Sequence, residues 1–210
     1  MHTGLRALRD RHALRGAPRR LTAADLARIA VVAALIAALS LPGTIHVFGS
    51  PVPITLQTFG VMLAGLLLGP VRGALAVVVY LAMGAVGLPV FAGGAAGLGT
   101  FAGPTGGYLV GFPLAAFVIG LIAHGVRRFD RSLAFTACVV GGILVVYAVG
   151  VPWLAWRAGL SFEEALITGG TLFLFGDLVK AFLATVVAAG VHRAYPRLSE
   201  SRQRAAGTAS

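Results

Sequence analysis

Residues 165–190 read ALITGGTLFLFGDLVKAFLATVVAAG, an apolar stretch in which Asp177 and Lys180 are the only charged residues. About 20 mainly apolar residues are enough for a helix to cross a bilayer. A charged side chain at the centre of such a helix costs about 2.5–3.5 kcal/mol on insertion scales, so its presence there indicates a function. The i, i+3 spacing places both charges on one face, with the acid first as the helix dipole favours. The stretch therefore predicts a membrane-spanning helix with either a ligand-binding ion pair or a pair that only fixes helix packing.

The composition excludes a water-soluble domain. Hydrophobic residues make up 58% of the 210-residue chain and charged residues only 11%, with a mean hydropathy of +0.89. Soluble domains carry about 25% charged residues. The net charge of +10 does not indicate a nucleic-acid partner, because the basic residues form short clusters between long uncharged runs. That arrangement is typical of a membrane protein whose cytoplasmic loops are positively charged.

Five more apolar runs precede residues 165–190 in the chain. Together the six runs predict an all-α integral membrane protein with six transmembrane helices. Lipid offers no partners for backbone polar groups, so each span is expected to be helical. The second and third runs are short, which predicts that they extend into flanking residues or lie where the membrane is thinner. The five runs cover residues 25–41, 57–70, 73–88, 107–125 and 133–152.

The basic residues also predict the orientation. Of the 17 lysines and arginines, 15 fall in the N-terminal tail, the even-numbered loops and the C-terminal tail, and Arg157 alone falls in an odd-numbered loop. Both termini are therefore predicted to be cytoplasmic, in the inner membrane of a bacterium. The predicted division is a disordered basic tail over 1–24, a substrate-binding transmembrane domain over 25–192 and a cytoplasmic tail over 193–210.

Two loops on the predicted outer side, 42–57 and 89–106, are uncharged and rich in glycine and proline. Non-helical backbone of this kind is tolerated at a membrane where it lines a cavity, so we interpret both as lids over an outward-facing pocket. Thr105 is a possible N-cap, and the exposed amides beside it suit either an anion or a plain helix start. Gln57 has the side chain either to bind a ligand or to cap its helix.

Several catalytic and metal-binding classes find no support in the sequence. It contains no G-x-x-x-x-G-K-[ST] phosphate loop, no H-E-x-x-H and no G-x-S-x-G. Cys138 is the single cysteine and His46 has no neighbouring metal ligand in sequence, so neither predicts a metal site. We therefore expect neither an enzyme nor a cofactor.

Four motifs stand out in the sequence: PVPITLQTF at 51–59, GLPVFAGG at 87–94, GPTGGYLVGF at 103–112 and the Asp177-x-x-Lys180 pair. Together they resemble those of the BioY family, the biotin-binding, substrate-specific components of energy-coupling factor transporters. The resemblance covers residues 25–190 with the motifs in the same order. It implies a six-helix protein that binds biotin under its outer loops and works with a transmembrane coupling subunit and a pair of ATP-binding cassette ATPases.

The resemblance also implies that the acid and the lysine of the last helix contact the ligand, and that small residues of the first helix face the coupling subunit. The small residues spaced for such an interface are Ala27, Ala30, Ala34 and Ala38. Apolar walls for the ligand are expected from Phe91 and Phe173, and its carboxylate is expected near Thr105–Gly107 or Arg157. The candidate substrate-binding residues are Gln57, Phe91, Thr105, Gly106, Gly107, Tyr108, Phe173, Asp177 and Lys180.

Three other functions stay open on the residues alone. A binding component for another small vitamin has the same architecture, because an acid–base pair suits other donor–acceptor rings as well as a urea. A stand-alone secondary transporter is usually marked by internal repeats or interrupted helices, and no clear repeat is visible. A membrane enzyme needs a nucleophile–base pair or a metal-ligand cluster, which the sequence lacks.

Overall fold

The computed structural model describes residues 21–41, 52–126 and 129–195, and these residues form six long helices without a β-sheet. The prediction of an all-α protein is confirmed. The apolar runs are long and continuous, and a helix forms all its backbone hydrogen bonds within itself and so needs no water. This explains why the runs are helical. The helices are α1 (Ala23–Ser40), α2 (Gln57–Leu68), α3 (Pro70–Ala85), α4 (Gly106–Ala123), α5 (Arg131–Ala158) and α6 (Phe162–Ala194).

Four of these helices, α1, α4, α5 and α6, are long and apolar enough to cross a membrane. In contrast, α2 has 12 residues and α3 has 16. The expected extension into flanking residues is seen only at the start of α3, which begins at Pro70 and not at 73, whereas α2 and α3 both end before their predicted ends at 70 and 88. Gly69 has φ 79°, which ends α2, and Pro70 at the first position of α3 starts the next helix at once.

The first helix begins two residues earlier than the predicted boundary at 24/25. Thr22 caps it, since its side chain accepts a hydrogen bond from the Asp25 amide while the Asp25 carboxylate accepts one from the Thr22 amide, both at 3.2 Å. Asp25 is also buried and pairs with Arg72 of α3, Nε to Oδ1 at 3.0 Å. The predicted basic tail otherwise falls on residues 1–20, which lie outside the described residues.

Both long C-terminal helices run beyond their predicted ends. The α5 helix continues through Pro152 to Ala158 and stops at Gly159, whose φ of 66° suits a left-handed cap. Arg157 therefore lies in the last turn of α5 and not in a loop. The α6 helix extends to Ala194, so the predicted boundary of the C-terminal tail at 193 falls inside this helix.

The fourth helix is at the centre of the bundle and contacts α2, α3 and α5. Glycines allow this close packing, because a Cβ added at Gly65 of α2 or Gly141 of α5 would collide with backbone or Ile119 of α4. Gly120 of α4 similarly faces the Gly69–Pro70 backbone. Small residues at helix contacts are typical of membrane proteins, in which packing replaces the hydrophobic driving force.

Two segments of the long helices are π-helical rather than α-helical. They are Cys138–Val145 within α5 and Ile167–Thr171 within α6. Each extra backbone residue in such a turn changes which side chains face inward, and π-helical turns are frequent at functional sites. Gly169 of the second segment lines the cavity described next, and so do Val146 and Tyr147, which directly follow the first segment.

Candidate ligand-binding site

A cavity of about 370 Å³ lies between α2, α4, α5, α6 and the two segments predicted as lids. This volume falls within the range of small-molecule sites, about 300–1,000 Å³. From the first lid the described residues 52–55 line the cavity, and from the second Phe91, Ala92, Gly93, Ala95, Thr100 and Thr105 do so. His46 lies outside the described residues.

The predicted ion pair faces this cavity. Lys180 Nζ donates to Asp177 Oδ1 at 2.9 Å, and the two side chains are only 11% and 4% exposed. Thr58 of α2 joins them, because its hydroxyl donates to the same Asp177 oxygen at 3.1 Å and accepts from Lys180 at 3.2 Å. Three polar side chains from two helices thus form a hydrogen-bonded cluster in the cavity wall.

A fourth member of the cluster, Tyr147, was missed by the sequence analysis. Its hydroxyl donates to Asp177 Oδ2 at 2.6 Å from α5, two residues after the π-helical segment Cys138–Val145 ends. A buried tyrosine usually finds a partner for its hydroxyl, so a lone tyrosine within an apolar run is the signal that was available. Tyr147 fills the second oxygen of Asp177, and both carboxylate oxygens therefore accept hydrogen bonds within the protein.

The predicted apolar walls are present. Phe91, Phe173 and Tyr108 all line the cavity and are all buried. Phe91 packs edge-to-face on Phe101 with ring centroids 5.6 Å apart. Tyr108 is held in place because its hydroxyl donates to the Gly169 carbonyl at 2.7 Å, within the π-helical segment of α6.

Gln57 also lines the cavity, at the first turn of α2. Its amide nitrogen donates to the Tyr80 hydroxyl at 2.6 Å, and its amide oxygen accepts from the Thr55 hydroxyl at 3.1 Å. The hydroxyl that accepts from a backbone N–H at this helix start is that of Thr55, which accepts from the Gln57 amide at 3.3 Å, and the Gln57 side chain makes no such bond. Gln57 is therefore placed as a cavity residue and not as a helix cap.

Of the three consecutive residues expected to hold an anion, one lines the cavity and two do not. Thr105 lines the cavity at the N-cap position of α4, but its side chain makes no capping hydrogen bond. Gly106 and Gly107 are buried in packing contacts, since a Cβ would collide with the Phe101 backbone at the first and with Trp153 at the second. Neither glycine belongs to the cavity lining.

Arg157, the other expected anion partner, does not line the cavity either. Its guanidinium carbon lies 5.3 Å from the ring centroid of Trp156, whose side chain is 69% exposed. Because α5 is longer than predicted, Arg157 sits on the outside of the bundle. Of the residues proposed from sequence for the ligand carboxylate, only Thr105 faces the cavity.

The four alanines of α1 share one exposed face. Ala27, Ala30, Ala34 and Ala38 are all exposed, whereas Ile29, Val32 and Ile36 on the other face are buried against the bundle. The alanines thus form a stripe of small residues on the exposed side of α1, next to the exposed side chains of Val31 and Leu35, and such a stripe suits close approach of another helix.

Comparison with known proteins identifies a single family. The BioY family matches residues 13–197. A biotin transporter BioY from Rhizobium etli is 44% identical over 180 residues, covering 83% of this chain and 96% of that protein. One from Rhodobacter capsulatus is 47% identical over 169 residues, covering 76% and 88% respectively. A crystal structure described as the S-component for biotin from an ECF-type ABC transporter superposes with a TM-score of 0.78 at 30% identity, covering 85% of this chain and 95% of the other.

Proposed function

Because this chain belongs to the BioY family, we propose that it is the membrane-embedded substrate-binding component of a biotin uptake transporter. It captures biotin on the outer side of the membrane for import coupled to ATPase subunits. The observation that carries the proposal is the Asp177–Lys180 pair, which is buried and faces a cavity of small-molecule size. Relatives that share nearly their whole length with the chain are biotin transporters, which supports the same substrate.

The chemistry of the pair matches the ureido ring of biotin. That ring offers two N–H donors and one carbonyl acceptor, while Asp177 accepts and Lys180 donates. On binding, the urea carbonyl takes a hydrogen bond from Lys180 and a urea N–H donates to Asp177, so the two charges exchange part of their mutual bond for bonds to the ligand. Bonds with one ionised partner are roughly twice as strong as neutral ones, which favours this exchange.

The rest of the ligand is proposed to lie along the apolar walls. Phe91 and Phe173 face the sulfur ring and the alkyl chain. The carboxylate then lies near the threonine hydroxyls of the lids, Thr55, Thr100 and Thr105, which line the cavity. Tyr108 closes the wall by its contact with Gly169. Gly106 and Gly107 support the site by packing and not by contact with the ligand.

The proposed topology has six transmembrane helices, including the short α2 and α3, with both termini cytoplasmic in a bacterial inner membrane. The arginine distribution supports it, because most basic residues lie in the tails and even-numbered loops. The Asp25–Arg72 pair lies at the start of α1 and of α3, on the proposed cytoplasmic side. We also propose the same division into a basic tail, a transmembrane domain and a C-terminal tail, with the transmembrane domain running from the start of α1 at Ala23 to the end of α6 at Ala194.

The partners we propose are a transmembrane coupling subunit and ATP-binding cassette ATPases, with the alanine face of α1 as the contact surface. Ala34→Leu is expected to leave biotin affinity within twofold and to abolish co-purification of the coupling subunit, because a long side chain prevents close helix approach. Thr136→Leu, at an exposed position of α5, is the matched control and is expected to keep the complex. Intact assembly of Ala34→Leu would place the interface elsewhere.

A ligand panel on purified protein tests the proposed function. Calorimetric titration with biotin, the same ligand lacking the urea carbonyl, and unrelated vitamins is expected to give tight binding for biotin alone. Preference for another vitamin would assign the chain to a different substrate within the same architecture. Uptake of biotin by vesicles without any ATPase partner would instead identify a stand-alone transporter.

A further inference from the structure

The Tyr80 hydroxyl joins three elements around the cavity without lining it. Tyr80 lies in α3 and is completely buried. Its hydroxyl accepts from Gln57 of α2 at 2.6 Å, contacts Ser40 Oγ of α1 at 3.0 Å, and donates to the Val90 carbonyl at 3.2 Å. The second lid begins to line the cavity at Phe91, the residue that follows Val90. A single oxygen atom thus connects α1, α2 and this lid.

The Tyr80 hydroxyl can keep its hydrogen bond to Gln57 whichever acceptor its own proton is donated to. A phenol has one proton and two acceptor lone pairs. The Tyr80 proton has two acceptors within reach, Val90 and Ser40, and the Ser40 proton in turn has the Ile36 carbonyl at 2.7 Å. Moving the proton between these acceptors leaves the Tyr80 lone pair that accepts from Gln57 unaffected.

The carboxamide of Gln57 is consequently fixed at both ends. One N–H is bound to Tyr80, and the oxygen accepts from Thr55. The amide retains one further N–H and one further oxygen lone pair, and Gln57 lines the cavity. One donor and one acceptor at a defined angle are the complement of a small ring that carries an N–H next to a carbonyl.

We propose that Tyr80 is a positioning residue for ligand recognition, acting through Gln57. Its hydroxyl sets the direction in which the Gln57 amide meets the ligand. This inference rests on the proposed function, because the ligand whose affinity it controls is biotin. Tyr80 itself does not belong to the cavity lining.

A double-mutant cycle tests the proposal by biotin titration of four purified proteins: wild type, Tyr80→Phe, Gln57→Ala and the double variant. Tyr80→Phe keeps the ring, which packs edge-to-face on Phe91 at 5.6 Å, and removes only the hydroxyl. We expect it to weaken biotin binding about tenfold in the wild-type background and less than twofold in the Gln57→Ala background. Equal losses in both backgrounds, or no loss in either, would overturn the proposal.

Thr185→Val is the matched control, because it deletes another buried hydroxyl that donates to a backbone carbonyl outside the cavity. Its affinity for biotin is expected to stay within twofold of wild type. A ligand-free measurement separates this proposal from the proposed function. The side-chain amide resonance of Gln57 should shift in Tyr80→Phe and not in Thr185→Val, and an unshifted resonance would refute the positioning role. Failure of the wild-type protein to bind biotin would instead refute the proposed function and, with it, the ligand that Tyr80 serves.

Discussion

Asp177→Asn is expected to weaken biotin binding by at least tenfold while leaving the protein folded. The substitution keeps the size of the side chain but removes the negative charge that accepts from Lys180, Thr58 and Tyr147. A hydrogen bond to a charged group contributes about 1.5–3 kcal/mol, which is roughly ten- to a hundredfold in affinity. Titration of biotin on purified protein, with size-exclusion chromatography as the check on folding, measures the effect.

Asp25→Asn provides the control for Asp177→Asn. Asp25 is also a buried, ion-paired aspartate, but its partner is Arg72 and it does not line the cavity. We expect its loss to lower thermal stability and to leave biotin affinity within twofold. Equal losses of affinity in the two variants would mean that any missing buried ion pair weakens binding, and unchanged affinity of Asp177→Asn would remove the carboxylate from the site.

Gly84→Ala is expected to weaken biotin binding by at least thirtyfold, through the shape of the cavity and not its charge. Gly84 lies near the end of α3, and a Cβ there would overlap the Phe91 ring. Phe91 is 1% exposed, and the rings of Tyr80 and Phe101 pack against it, so the Phe91 ring cannot move toward either of them. The added methyl group therefore displaces Phe91 toward the cavity, where it occupies ligand space.

Two further proteins make the Gly84→Ala result interpretable. Gly190→Ala adds the same methyl group to α6 where no atom lies within 4 Å, and it should bind biotin as wild type does. Combining Gly84→Ala with Phe91→Leu shortens the side chain that is displaced, so we expect this pair to recover a large part of the lost affinity. A double variant no better than Gly84→Ala would show that the glycine acts on the helix and not on the ring.

The helices were largely predictable because apolar runs identify membrane helices independently of tertiary contacts. Their ends were harder to place, since they depend on local devices that composition does not reveal. Thr22 extends α1 by pairing reciprocally with Asp25, and Gly69 with Pro70 ends α2 two residues before its predicted end and starts α3 three residues before its predicted start. Proline is tolerated in a membrane helix, so Pro152 did not mark the end of α5.

The site was only partly predictable for a related reason. Asp177 and Lys180 are conspicuous because charge in an apolar run is expensive. Tyr80 and Tyr147 are not conspicuous, since a tyrosine within an apolar run looks like an ordinary packing residue until its hydroxyl partners are known. Gly106 and Gly107 are the opposite case, because they resemble an anion-binding turn in sequence, whereas in the structure they pack closely against Phe101 and Trp153 and do not line the cavity.

The shortness of α3 has a consequence for the lipids beside it. Sixteen helical residues span about 24 Å, whereas the hydrocarbon core of a bilayer is about 30 Å thick. This helix exposes Val71, Val78 and Val79 and packs beside α1, whose alanine face is the proposed contact surface. In the proposed topology, in which α3 spans the membrane, acyl chains next to it must shorten or splay to match it, at a cost of a fraction of a kcal/mol per Å. A protein partner that replaces those chains releases this elastic strain, so membrane elasticity favours assembly at the same side of the molecule, and more strongly in lipids with longer tails.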